Sequence, residues 1–182
     1  MGREFVNDTF GTAAGCADEV VSGANPDITA SEEGLQSTWD RHAFTRGAID
    51  PVLGREHHSV SKSGVTTPAG DNKTIVSENE IEVTVRGDSV STDVIVSTSA
   101  QGDPTNTRSE RHQVGSDYIS NQKLGDRAPL SRTDEPVFED EAISPQPPAW
   151  TETTANNIKA EIDECIQDKL STPAAQPPPP KP

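Results

Sequence analysis

The chain has 182 residues, of which 30% are hydrophobic and 4% aromatic, and 15 basic against 30 acidic side chains leave a net charge of -15. Val, Ile, Leu and Phe together number 33, too few to offset a backbone ordering cost of about 1 to 2 kcal/mol per residue at about 25 cal/mol per Å² of buried apolar area. Composition therefore excludes a large core and predicts a mostly intrinsically disordered chain with isolated short helices and no globular core. The charge excludes direct nucleic-acid and membrane partners and favours a basic protein surface.

The first periodic segment covers residues 4–21. Val6, Phe10, Ala13, Ala17, Val20 and Val21 recur at the three-and-four spacing of one helix face, with Asn7, Asp8, Asp18 and Glu19 off it. Gly11 and Gly15 each cost about 1 kcal/mol relative to Ala in a helix interior, so this helix should be marginal alone. Its recognition face would order against a partner.

A second helix is predicted over residues 30–44. Thr29 and Glu32 have capping-box spacing, Leu35, Trp39 and Ala43 follow at intervals of four, and Gly47 and Pro51 close the pattern. Residues 1–45 thus read as an N-terminal helical recognition region. Residues 46–150 read as a disordered acidic linker.

Within that linker, residues 74–98 carry a β signal. Ile81, Val83 and Val85 alternate with polar residues, Arg86-Gly87-Asp88 offers a turn, and Val94-Ile95-Val96 is β-rich. With no third strand apparent, a weak hairpin or an extended, transiently β-like segment is expected, the extended form being favoured. Further on, Val137 and Phe138 sit in an acidic run from Asp134 to Glu141 that reads as solvated charge.

Residues 151–182 read as a short helix and a tail. Ile158, Ile162, Ile166 and Leu170 keep a strict spacing of four over 154–170, which suits a secondary partner-binding helix. The prolines of 177–180 and Pro182 form a polyproline II tail that needs no core.

Chemistry is sparse. There is no Gly-rich phosphate loop, GxSxG or HExxH, so no enzyme, cofactor or metal is expected, and adjacent His57 and His58 read as surface residues. Cys16 and Cys165 stand alone at opposite ends and read as free thiols in a reducing compartment. With no apolar leader or spanning run, localisation to cytoplasm or nucleus rather than secretion is expected. Ser77, Ser131 and Thr133, beside acidic residues, read as phosphorylation sites.

Ile28, Leu35 and Trp39-Asp40-Arg41-His42 carry a resemblance. They look like the short motif near the start of paramyxovirus phosphoproteins, the avian members (avulaviruses) most of all, and Phe10 to Val21 is similar to the helix with which that family begins. The resemblance covers about the first 45 residues and implies binding of RNA-free viral nucleoprotein. That role would fall on Val6, Phe10, Ala13, Ala17, Val20 and Val21, with Leu35, Trp39 and His42 as a second anchor. The long coiled coil of a full phosphoprotein and the cysteine-rich zinc domain of a V protein are missing, so the chain looks like a truncated W or I form. Such forms are associated with antagonism of host antiviral (interferon) signalling, which adds host signalling proteins to the implied partners. The rival expectation is a cellular disordered adaptor acting through Ile158 to Leu170 and the proline tail.

Overall fold

Alternation of aliphatic and polar side chains shapes the middle of the chain. In the computed structural model, which describes residues 2–24, 35–49, 56–68, 74–101, 108–119, 122–133 and 147–171, Ile75, Ile81 and Val83 are buried while Glu78 between them is exposed. Val90, Val94 and Val96 continue the same inward face on the next strand, because the register sets Ile81 opposite Val94. These two strands are β3 (Thr74–Arg86) and β4 (Ser89–Gln101), joined through Gly87 at φ 63°, a left-handed conformation that glycine takes without a Cβ penalty.

The hairpin is the centre of a larger sheet. β1 (Leu35–Ile49), β2 (Glu56–Pro68), β5 (Arg108–Ile119) and β6 (Gln122–Thr133) extend it to six antiparallel strands paired in chain order. Helix α1 (Gly2–Gly23) lies chiefly over β2 and β3, and α2 (Pro147–Ser171) over β4 and β5, both on one face. Pro147 and Pro148 suit the first turn of α2, where the missing amide hydrogens would have no intrahelical acceptor.

The core lies between the helices and that face. Phe10, Ala13, Cys16, Ala17 and Val21 of α1 and Ile158, Ile162 and Ile166 of α2 meet Val60, Ile81, Val83, Val94, Val114 and Tyr118. Small residues on α1 let its backbone approach the sheet closely. Where α1 meets α2, a disulfide joins Cys16 to Cys165 across 149 residues of sequence, and Lys169 Nζ lies 3.3 Å from Glu19. Both links advance with chain number, so the two helices run in the same direction there.

These findings correct the expectation of a mostly disordered chain without a core. The apolar tally missed three contributions. Buried alanines 13, 14, 17 and 155 fill core volume without counting as large side chains. Polar residues complete the inner face in pairs: Thr151 to Thr98 at 2.7 Å, His58 to Asp18 at 2.6 Å, and the Lys62 ammonium to the Ser22 carbonyl at 3.0 Å. The cysteines form a covalent tie rather than two free thiols.

The segment expected as a helix over 30–44 enters strand β1 at Leu35, while the capping box lies outside the described residues. The disordered linker of 46–150 holds β2 to β6, and the 74–98 segment, expected to be extended or weakly paired, is the fully registered central hairpin. α2 begins at Pro147, ahead of the expected 154. His58 is buried, and so is Ser77, which removes it as a kinase site in the folded chain. The acidic run at 134–141 and the proline tail lie outside the described residues.

Candidate functional site

Over β2 and β3 the face of the sheet turned away from the helices is a surface that the described elements leave open, whereas on β4 the same face carries buried Ser91, Asp93 and Ile95. On β3 the even positions point there, so the run Ser77-Glu78-Asn79-Glu80-Ile81-Glu82 sends its three glutamates to one side and Ser77, Asn79 and Ile81 to the other. The register with β2 sets Ser63 opposite Glu78, Ser61 opposite Glu80 and Ser59 opposite Glu82. Serines cannot neutralise carboxylates. Ser59 Oγ donates to Glu80 at 3.0 Å and Ser63 Oγ to Glu78 at 3.5 Å, so the hydroxyls orient the stripe.

The charges in this stripe act on one another. Partial burial and the adjacent Glu82 carboxylate push the Glu80 carboxyl above its ordinary value, against the lowering effects of Ser59 and Arg111. His57, at the end of β2, approaches Glu82 at 3.8 Å. Arg127 on β6 is engaged elsewhere: it pairs with Asp93 at 2.7 Å, donates to the Thr92 carbonyl at 2.6 Å and lies 3.5 Å from Asp117. Gly115 makes that reach feasible, since a Cβ there would stand 2.5 Å from the Thr92 carbonyl oxygen and against the guanidinium.

A second polar cluster joins α2 to the sheet. The Tyr118 hydroxyl donates to Asp163, Ser116 Oγ donates to the same carboxylate at 3.1 Å, and Lys159 and Lys123 approach it at 2.9 and 3.2 Å. Burial would raise Asp163, but the hydrogen bonds from Tyr118, Lys159 and Ser116 outweigh it and hold the carboxyl below its ordinary value. Burial first, then the bond to Asp163, push the Tyr118 phenol up. Hydrogen bonds from Lys123 and Lys159 hold Asp126 down at about 2. The members pair with one another and tie α2 to β5 and β6. Among the described residues no group of three or more His, Cys, Asp or Glu side chains is arranged to hold a metal ion.

The residues singled out from the sequence lie elsewhere. Phe10, Ala13, Ala17 and Val21 are buried in the chain's own core and Val20 is partly buried, while the side chain of Val6 lies outside the described residues. Ile158, Ile162 and Ile166 are buried and Leu170 partly so. The structure thus gathers the two recognition helices into one core. Leu35, Trp39 and His42 fall on edge strand β1, with Leu35 opposite Pro68 and His42 opposite Lys62, their side chains outside the described residues. The glutamate stripe was missed because it was read only as the polar half of a weak hairpin. Its signal was present, as three glutamates at the strand period of two.

No protein-family model matches the chain, and no curated protein or solved structure is significantly similar to it.

Proposed function

We propose that the chain is a non-enzymatic interaction protein that engages a basic protein partner through the open face of its sheet. The observation that carries this reading is the row of Glu78, Glu80 and Glu82, only partly offset by Arg111, flanked by serines on β2 and covered by neither helix. Like charges at this spacing repel, and a lysine or arginine of a partner set between Glu80 and Glu82 would relieve that repulsion. A chain of net charge -15 would also be steered electrostatically toward such a partner.

A nucleoprotein with a basic RNA-binding surface, the partner the paramyxovirus resemblance implies, has the required chemistry. In this reading it meets the sheet rather than the apolar face of α1, which the core occupies. Titration of an arginine-rich protein into the full chain, followed by calorimetry at two salt concentrations, tests the proposal. The triple variant E78Q/E80Q/E82Q is expected to weaken binding about tenfold or more at low salt, with the difference shrinking as salt screens the charges. The control D8N/D88N/E152Q, which removes three exposed carboxylates away from the stripe, should bind like the parent. Equal loss in both variants would reduce the effect to net charge and refute a site on the sheet.

A further inference from the structure

The Cys16–Cys165 bond has two unequal ends. Cys16 is fully buried between α1 and the sheet, whereas Cys165 is only partly buried and forms part of the wall of a surface hollow of about 300 Å³. The rest of that wall is Glu19, Glu161, Glu164, Asp168 and Lys169, four carboxylates against one ammonium. The Lys169 ammonium lies 3.3 Å from Glu19. A thiolate that reaches the disulfide through this opening meets the Cys165 sulfur first, and meets it in a negative field.

We infer that this hollow is a site of thiol–disulfide exchange that favours positively charged thiols and, once used, unclasps α1 from α2. In the first step the incoming thiolate attacks Cys165 Sγ, a new S–S bond forms to Cys165, the Cys16–Cys165 bond breaks, and Cys16 leaves as a thiolate that takes a proton. In the second step another thiolate attacks the outer sulfur of the mixed disulfide and frees Cys165 as a thiolate. The protein disulfide gains two electrons and two small thiols become one disulfide. Departure of Cys16 into a buried site slows every thiol alike, so it cancels from comparisons among them. The acidic wall does not cancel, because its repulsion grows with the net negative charge of the attacking thiolate, which is zero when the thiol carries an ammonium group and minus two when it carries a sulfonate.

The consequence falls on α1. Its inward face is Phe10, Ala13, Cys16, Ala17 and Val21, smaller side chains than the isoleucines of α2, so covalent attachment at Cys16 adds to what its packing and its polar ties to β2 supply. After reduction α1 should open more often than the sheet does.

The test uses the full oxidised chain and three small thiols of similar size: cysteamine, 2-mercaptoethanol and 2-mercaptoethanesulfonate. Each rate of Cys165 modification, followed by mass spectrometry, is divided by the same thiol's rate on a small uncharged disulfide. The normalised ratio of cysteamine to mercaptoethanesulfonate is expected to be about tenfold at low salt and to approach unity at high salt. The variant E161Q/E164Q should lose at least half of the selectivity, and the reduced chain should show faster amide exchange in 2–24 than in β3 and β4. Equal normalised rates for the three thiols, selectivity unchanged in E161Q/E164Q, or reduction at a rate independent of thiol concentration would each overturn the inference.

Discussion

At the scale of single residues the chain divides its carboxylates into two kinds. Asp163 and Asp126 have folded-state pKa values below their ordinary ones because they accept hydrogen bonds from Tyr118, Lys159, Ser116 and Lys123. Such groups bind fewer protons when folded than when unfolded, so their stabilisation is present above the ordinary carboxylate range and is lost as the pH falls from about 4 to about 2. Denaturant melts over that interval should show stability falling, and Tyr118→Phe should remove about 1.5 to 3 kcal/mol at neutral pH, because a buried charged acceptor loses a donor. Glu80 has the opposite sign. Its raised folded pKa means that the folded chain binds the proton more tightly, so the stability present below its ordinary value is lost as the pH rises from that value through the folded one. Glu80→Gln is therefore expected to raise the melting temperature at neutral pH, by about 1 to 3 °C, while weakening binding to the basic partner. Opposite changes in stability and binding would mark a residue retained for recognition. A fall in both would return Glu80 to the structural class of Asp163.

Among the elements, α2 anchors more firmly than α1. Ile158, Ile162 and Ile166 form an unbroken buried stripe, whereas α1 intersperses Ala13, Cys16 and Ala17 between Phe10 and Val21. Ile162→Ala should cost about 2 to 5 kcal/mol in urea melts, and Ala17→Gly on α1 only about 1 kcal/mol. A reversal would show that α1 carries the core. The two helices and the β character of 74–98, though not its pairing into a stable hairpin, were legible in the sequence because their apolar residues repeat with period 3.6 or 2 over many positions. β1 was misread for a specific reason: Leu35, Trp39 and Ala43 are four apart, and four is also a multiple of the strand period, so spacing alone cannot separate the two forms. β2, β5 and β6 were not legible at all. The inward positions of β2 and β5 include His58, Lys62, Thr66, Glu110, His112 and Ser116, and such residues signal burial only once a partner across the fold is known, while no described residue of β6 is buried. The glutamate stripe shared that fate, since a sheet face has meaning only after the helices have taken the other one.

The whole molecule is held by fewer large apolar side chains than its length would ordinarily need, and a single cross-link joins its first helix to its last. A loop of 149 residues closed by one disulfide removes more unfolded-chain entropy than a short one, about 5 kcal/mol in the chain-entropy account. That is comparable with the entire net stability of many domains. The double variant Cys16→Ser/Cys165→Ser should therefore unfold about 2 to 5 kcal/mol more easily than the oxidised chain, and the reduced parent should match it. The sheet and α2 retain their own contacts in that variant, so unfolding should remain cooperative by circular dichroism while α1 exchanges its amides fastest. If the variant instead showed no cooperative transition at any temperature, the low apolar content would have decided the matter. The disulfide would then be the condition of folding rather than an addition to it. A bond with that weight also bears on where the chain works, since disulfides persist in oxidising compartments and are reduced in the cytoplasm. Alkylation of free thiols in intact cells, followed by non-reducing electrophoresis, should find the oxidised form predominant if the clasp is closed at the working site. A predominantly reduced population would place the working form in the unclasped state.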